Sequence, residues 1–528
     1  MDHLIFSISN RKNNINAFII LFLAAFTFFF RLLSLQIINV GPDEIDYWFA
    51  AKRLFSTLPY PEINHRTTRF GIIFPVWLFQ KAFSTHPFVY SVVPIALSVI
   101  QSIYLYKIGA MLHSRKAGYL AVLFLTLYPY MIRSGSQIRP GIFIVTYMLI
   151  AWYYIALYVM NDKNRFRKLV VSAVFLFLAY QSKVTALYFF PGMLLGIYYS
   201  KKSIKDVITF ALALLLLYLG EHILFWISTG NNLGRAGVIL NTHLSSGYED
   251  IVADKSFWGL FDRYLSKWLP TLWKVLFMMY LCATGFTLVW VKKKWVKVFT
   301  LISLSFFFFI TFAVKSFNPV VPVEAFQNRY FTPVLPIIFL ILSVTVFECL
   351  SLIGAKDLTE GLSKKPARNY GVITSTLFLL LLAFYSLNQV PGSFRPFYNS
   401  LTDLYNHPVV KTFRYHSILN EAFRSGTPMV TFDSHEKKSI MSYKSLDTTN
   451  RVFIDYGKQE TLEPLRRIMV DNKQVVVLCH NSFYNSDRIK QDIKQGSLII
   501  GLRFKYRMIK GDYSDFVQLA GKETSIYE

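Results

Sequence analysis

The sequence is short of cysteine, short of acids, and short of the signatures that mark common soluble enzymes. Its 528 residues contain three cysteines. Cys282 and Cys349 fall inside apolar runs and only Cys479 lies in a polar stretch, so no disulfide framework is available. The polar C-terminal part carries no GxGxxG, P-loop or HExxH, which removes the usual dinucleotide, nucleotide and zinc-peptidase readings. No internal repeat is evident, which argues against transporter folds built from repeats. The N-terminus does not read as a cleavable signal, because its apolar run is too long and no small-residue cleavage site follows. Acids number 31 against 56 Lys and Arg, a net charge of +25. This surplus does not point to nucleic acid, since most of the bases sit in short loops between apolar runs.

What the chain has instead is apolar surface. Hydrophobic residues make up 53% and aromatics 17%, with a mean hydropathy of +0.37. That composition excludes an ordinary soluble enzyme and predicts a polytopic α-helical membrane protein. Aromatics near the span ends suit interfacial anchoring. At roughly 20 residues per crossing, about eleven transmembrane helices are expected. They cover residues 15–38, 88–106, 117–132, 140–160, 168–182, 184–200, 207–228, 270–291, 296–314, 331–352 and 371–388. The fifth and sixth are short enough to form one hairpin that reaches only part way. Every second loop is strongly basic, which places those loops and the N-terminus in the cytoplasm. The loops 39–87, 229–269 and 315–330 are then extracytoplasmic, and function is built on that outer face. In the first of them, the stretches Ile45 to Phe55 and Phe70 to Phe83 are amphipathic and suit helices lying along the interface. The expected organisation is a membrane domain over 1–390 and an extracytoplasmic α/β domain over 399–528. In the latter, strand-like runs (Met429–Phe432, Arg451–Ile454, Val475–Cys479, Leu498–Phe504) alternate with helix-like ones, which predicts a partly parallel sheet.

Candidate site residues follow from charge in unusual places. Gly41-Pro42-Asp43-Glu44 stands where the chain first leaves the membrane, with Pro42 expected to stop the first helix. Carboxylates there are costly unless solvated or employed, so Asp43 and Glu44 are candidates for a general base or a metal ligand. Glu62, His65, Arg66 and Arg69 share that loop, and Arg and His at a membrane surface can hold phosphate or lipid head groups. Arg133 and Arg139 flank a short outer turn, against the prevailing charge rule. Lys183 stands in the tight outer turn Tyr180-Gln181-Ser182-Lys183, where it can meet a phosphate or snorkel. Glu221 and His222 lie in the outer part of span seven, either as a functional pair or as a buried hydrogen-bonded one. Glu324, Gln327, Asn328 and Arg329 precede span ten, and Arg329 enters the membrane beside an aromatic pair, as a phosphate ligand or an interfacial anchor.

Three local patches, in this order and on one predicted face, resemble the GT-C glycosyltransferases. Pro42-Asp43-Glu44 is similar to the acidic motif of protein O-mannosyltransferase-like enzymes and of Alg9-type mannosyltransferases. Lys183-Val184-Thr185-Ala186-Leu187-Tyr188 with Pro191 resembles the lysine-containing turn of the bacterial protein-mannosyltransferase-like group. Asn328-Arg329-Tyr330-Phe331 through Pro336 is similar to the Arg-Tyr/Phe-x-x-Pro-x-x-Pro segment of both groups. The likeness covers the membrane part of the chain. Where protein-mannosyltransferase-like enzymes often carry an acid at the start of span four, Ile138-Arg139-Pro140 stands here, closer to the Alg9-type pattern.

The resemblance implies a sugar donor on polyprenyl phosphate, either hexose (mannose-like) or aminopentose. It implies a glycan, lipid or protein acceptor and an inverting displacement. Asp43 would be the base and Glu44 its orienting neighbour. Lys183, Arg329 and Arg139 would receive the leaving phosphate, with His65, Arg66, Arg69, Glu221, His222 and Glu324 binding acceptor or supporting the site. A divalent cation (Mg or Mn) is optional, with Asp43 as its one candidate ligand. Partners would be the lipid-linked donor, the acceptor and membrane lipids, without nucleic acid. The site would face the periplasm in a bacterium or the lumen in the endoplasmic reticulum. Two other classes compete: a transporter or flippase of lipid-linked saccharides, which moves its substrate unaltered, and a non-catalytic envelope-assembly scaffold, which would tolerate substitution of the acidic pair.

Overall fold

A computed structural model describes residues 2–33, 42–54, 66–83, 87–135, 137–230, 234–235, 237–238, 260, 271–291, 293–317, 320–322, 328–359, 429–431, 451–453, 474–480, 504–509 and 514–521. The membrane part is helical. Helix α1 (Asp2–Leu33) is followed by α2 (Pro42–Arg53), α3 (Phe70–Phe83), α4 (Pro87–Leu112), α5 (Arg115–Leu127), α6 (Pro129–Ser134) and α7 (Pro140–Met160). Then come α8 (Arg165–Ser182), a 3-10 turn (Val184–Phe189), α9 (Phe190–Lys201), α10 (Ile204–Thr229), α11 (Thr271–Trp290) and α12 (Lys294–Phe312). A small antiparallel hairpin, β1 (Val314–Phe317) with β2 (Val320–Pro322), precedes α13 (Asn328–Phe331), a 3-10 turn (Thr332–Val334) and α14 (Leu335–Thr359). This hairpin occupies the start of the segment 315–330, for which a loop is expected.

Among the described residues, six helices are long and apolar enough to cross a membrane: Val92–Leu112, Pro140–Met160, Ile204–Ile227, Trp273–Trp290, Lys294–Phe312 and Arg329–Cys349. Ala17–Leu32 and Phe70–Phe83 are shorter apolar helices. The expected span 371–388 lies outside the described residues.

Proline decides two of the helix boundaries that differ from expectation. The expected span 117–132 is divided at Tyr128, whose ψ of 125° is extended. Pro129 crowds the residue before it out of the helical region, so α5 ends there and α6 begins with the proline. Pro42 is the first residue of α2, a position where its missing N–H costs nothing. The acidic pair therefore belongs to the first turn of a second helix, where negative charge complements the helix dipole. Elsewhere, local capping sets the ends. Ser114 caps α5 by accepting from the Ala117 amide at 3.2 Å, Ser203 caps α10 by accepting from the Asp206 amide at 3.3 Å, and Gly230 ends α10 with φ at +67°.

Helix α7 is the axis of the bundle. It is buried along most of its length and packs on α4 and α8. Trp152 meets Phe189 of the 3-10 turn at 5.2 Å between ring centroids, and Phe189 stacks on Phe306 of α12 at 4.6 Å. Gln101 is paired inside the bundle: its amide donates to Ile142 O at 2.8 Å and to Thr146 Oγ1 at 2.9 Å. Helices α4 and α5 approach to backbone contact, since a Cβ on Gly118 would lie 2.6 Å from Tyr106 O. The outward side of α10 stays apolar and exposed (Leu212, Leu216, Leu219, Leu224, Ile227), as it does where the surroundings are lipid.

Helix α2 does more than lie at an interface. Tyr47, Trp48, Ala50, Ala51 and Leu54 are buried, and Gln80 of α3 donates to Trp48 O at 3.1 Å.

Ion pairs gather the basic loops at one end of the bundle. Asp162, after α7, takes Arg165 in a short contact and Lys201 of α9 at 2.9 Å, and Arg165 reaches Asp206 of α10 at 3.8 Å. His113 after α4 contacts Glu348 of α14 at 2.9 Å, and Lys293 lies 4.0 Å from the same carboxylate.

The C-terminal region holds a five-stranded sheet of β3 (Met429–Thr431), β4 (Arg451–Phe453), β5 (Gln474–His480), β6 (Phe504–Ile509) and β7 (Ser514–Gly521), in the order β4-β3-β5-β7-β6. β3 is parallel to β4 and β5, and β7 is antiparallel to β5 and β6. The sheet is thus partly parallel, as the runs predicted. Of the strand expected at Leu498–Phe504, residues 498–503 lie outside the described residues and Phe504 opens β6; β7 is an addition to the expected strands.

Candidate functional site

Helix direction brings the ends of α3, α4, α7, α8 and α10 that lie opposite the basic loops into one neighbourhood with α2 and α13. Lys183 is the one extended residue between α8 and the following 3-10 turn, with φ −165° and ψ 137°. Its amide donates to Ala179 O at 3.0 Å and its carbonyl accepts from Ala186 N at 3.1 Å. Its ammonium lies 3.3 Å from the centroid of the Tyr330 ring, a cation–π contact. The Arg329 guanidinium carbon lies 5.2 Å from the same ring. One aromatic side chain therefore holds together two cations that are 146 residues apart in sequence. Phe331, next in line, is buried against Trp273 at 4.7 Å.

Arg139 joins from α7, where it is the extended N-cap before Pro140. A Cβ on Gly141 would lie 3.3 Å from Thr332 Cγ2, so the α7 start abuts the turn that follows Arg329. The neighbouring Ile138 amide donates to Tyr90 Oη at 3.3 Å, and Tyr90 packs on Trp48 of α2 at 5.7 Å. Contacts thus run from α2 through Tyr90 to the Ile138 backbone, and from Gly141 to Thr332 in the turn after Arg329.

Asp43 and Glu44 occupy the first turn of α2. Their side chains, like those of Glu62, His65, Arg133, Glu324, Gln327 and Asn328, lie outside the described residues. Spacings of three and four put position 43 on the helix face that carries Asp46 and Tyr47. Both of these engage the segment before α3: Asp46 accepts from Arg66 at 2.8 Å, and the Tyr47 hydroxyl takes a short hydrogen bond from Arg69. Arg66, read earlier as a phosphate or head-group ligand, is thereby an ion-pair partner that ties the loop to α2.

Glu221 is paired as well, but not with His222. Successive helical residues point about 100° apart, and Glu221 faces the buried Arg235, whose Nη1 lies 3.4 Å from Oε1. His222 packs on the loop backbone, since a Cβ on Gly234 would lie 2.7 Å from its Nδ1. Burial lowers the Arg235 guanidinium below its ordinary value, and the Glu221 carboxylate opposes that shift while nearby Arg69 adds to it. Among the described residues no group of three His, Cys, Asp or Glu could hold a metal ion, and the Asp43 carboxylate falls outside that statement.

The sequence reading missed four members of this neighbourhood: Asp46, Tyr47, Tyr330 and Arg235. Tyr330 carried a signal, since it sits inside the Arg329 motif. Arg235 carried none, because its partners lie on α8 and α10, across the bundle.

Comparison with known proteins adds the family context. Residues 70–226 match the dolichyl-phosphate-mannose-protein mannosyltransferase family. No curated protein sequence matches significantly. Among solved structures, ArnT from Cupriavidus metallidurans in the apo state aligns with TM-score 0.53 and 12% identity, covering 96% of this chain and 99% of that one. The same protein bound to undecaprenyl phosphate gives equal values, with TM-score 0.53, 12% identity and the same coverage of 96% and 99%. The oligosaccharyltransferase AglB from Archaeoglobus fulgidus aligns with TM-score 0.46 and 12% identity over 98% of this chain and 75% of that one. The chain is thus similar to the dolichyl-phosphate-mannose-protein mannosyltransferase family over residues 70–226, and it shares the fold of ArnT along almost its whole length.

Proposed function

We propose that the protein transfers a sugar from a polyprenyl-phosphate donor to an envelope glycan, a lipid-linked glycan or a protein. The observation that carries this reading is the convergence of Lys183 and Arg329 on one tyrosine ring, that of Tyr330. In this reading Arg139, which precedes a helix that starts against Thr332, and the acids of the first turn of α2 belong to the same site. Cations held by an aromatic ring at the end of an apolar bundle suit a phosphate whose lipid tail lies among the helices. A protein of the same fold, ArnT from Cupriavidus metallidurans, has been seen bound to undecaprenyl phosphate.

The chemistry is a single displacement. Asp43 takes the proton of the acceptor hydroxyl as that oxygen bonds to the anomeric carbon, and Glu44 orients Asp43 or the acceptor. The bond from the anomeric carbon to the donor phosphate breaks, and the phosphate leaves on its lipid with its charge met by Lys183, Arg329 and Arg139. One displacement inverts the anomeric centre. No step needs a metal, although Mg or Mn at Asp43 is compatible with the scheme. In this reading the end of the bundle opposite the basic loops faces the extracytoplasmic side, a sidedness supported by the loop charges, and the region 399–528 lies on that side as an α/β domain that helps hold the acceptor.

The test is Asp43→Asn expressed in a strain lacking the native gene, with mass spectrometry of envelope glycans and lipid-linked sugars. The expected result is wild-type membrane abundance with sugar transfer lost. Full transfer in the variant would exclude Asp43 as the base. A saccharide lipid that changes membrane side without being altered would favour a flippase, and complete indifference to the substitution would favour a scaffold.

A further inference from the structure

Arg235 is not part of any helix that builds the site, yet it is one of the most deeply buried charges among the described residues, at 2% exposure. Its guanidinium is spent on the end of α8. Nη2 donates to Gln181 O at 3.0 Å, and Nη1 donates to Tyr180 O at 3.3 Å and to Gln181 Oε1 at 3.4 Å. The plane also lies over the Tyr180 ring, 4.8 Å from its centroid. The last carbonyls of a helix have no partner within it and need donors from outside. In α8 a distant arginine supplies them, and Glu221 on α10 offsets its charge from 3.4 Å.

The consequence falls on Lys183. It comes two residues after Gln181, in extended backbone, and its ammonium is aimed at the Tyr330 ring. Release of the two carbonyls frees the final turn of α8, and the residue that moves with it is the cation assigned to the donor phosphate.

We propose that Arg235, neutralised by Glu221, is a positioning residue for the donor-phosphate site, acting through the end of α8 on Lys183 and not by touching the phosphate itself. This rests on the role given to Lys183 above.

A double-mutant cycle separates this from a direct contact. The full-length protein in lipid nanodiscs is titrated with undecaprenyl phosphate, in the wild type, K183Q, R235Q and the double variant. K183Q should weaken binding by about tenfold, the loss expected for one charge-assisted contact. R235Q should weaken it by a similar factor in the wild-type background and by little or nothing when Lys183 is already gone. R235K, which keeps the charge but not the fork, should fall between wild type and R235Q. It also serves as the second variant should R235Q fail to fold, and its effect must likewise vanish in the K183Q background. Equal losses for R235Q with and without Lys183 would show direct or independent action and overturn the proposal, as would wild-type affinity in R235Q. If K183Q itself binds undecaprenyl phosphate as wild type does, the assignment of Lys183 fails. If K183Q weakens binding and R235Q does not, only the positioning role fails.

Discussion

Gly71→Ala is the sharpest test of the packing that sets Lys183. Gly71 is the second residue of α3 and runs against the final turn of α8. A Cβ there would lie 2.4 Å from Leu178 O, 2.5 Å from Ser182 Oγ and 2.8 Å from Ser182 N. Two of these three are backbone atoms, so no change of rotamer makes room. Restoring ordinary van der Waals distance requires α3 to retreat by about 1 Å. That retreat also pulls the Gly71 carbonyl from Tyr147, whose hydroxyl donates to it at 2.9 Å. Overpacking of this kind costs about 1–3 kcal/mol. Because Ser182 directly precedes Lys183, the disturbance reaches the site, where a displacement of about 1 Å can cost up to roughly 100-fold in rate. The expected result is a lowered thermal unfolding midpoint in detergent together with a 10- to 100-fold loss of sugar transfer, an estimate of about that size from misplacement alone. Gly285→Ala is the control. Nothing lies within 4 Å of a Cβ at that position, and alanine should be neutral or stabilise the helix by up to about 1 kcal/mol. A G71A protein with wild-type stability would refute the close approach of α3 to α8. Equal damage from G285A would show that any added methyl group is harmful.

R329Q should weaken undecaprenyl phosphate binding by about tenfold, as one charge-assisted contact is lost. Tyr330→Phe should keep most of the affinity, because the ring face and not the hydroxyl meets Lys183; Tyr330→Ala should lose it, and equal affinities for the two would remove the ring from the site. A pH effect is expected at the opposite end of the bundle. Burial lowers the His113 imidazole below its ordinary value, against the raising effect of its bond to Glu348 and with a lowering contribution from Lys293. The folded protein then binds this proton less readily than the unfolded chain. Stability is complete above the unfolded value near ~6.5 and falls as pH drops through the lower folded value. His113→Gln should flatten the decline of the unfolding midpoint below about pH 6.5, and an unchanged slope would exclude His113 as its source.

The sequence was informative wherever the physics is local. The spans at 140–160, 207–228, 270–291 and 296–314 agree with α7, α10, α11 and α12 to within a few residues. Twenty apolar residues in a row leave the backbone no partner but itself. The parallel-paired strands at 429–431, 451–453 and 474–480 were legible for a similar reason, as short β-branched runs set between polar ones. Proline was harder to read. Pro42 begins a helix and Pro129 divides one, and which of these a proline does depends on the residues beyond it. Lys183, Arg139 and Arg329 stood out in the sequence because each is a charge beside a long apolar run.

Partnership is what the sequence could not supply. Nothing in Asp46, Tyr47 or Arg235 marks them as different from other loop or interfacial residues. Their roles come from segments that meet only when α3 lies on α8 and α10 closes behind it, contacts that span from about 20 to 55 residues of chain. The sequence alone determined that this is a helical membrane protein with cations and acids in the same few segments bordering apolar runs, because hydrophobic length and charge pattern are properties of consecutive residues. Only the tertiary structure decided that one tyrosine ring holds Lys183 and Arg329 together, and that Glu221 belongs to Arg235 and not to its neighbour. Those pairings are set by the packing of distant helices, and a linear sequence carries no record of distance through space.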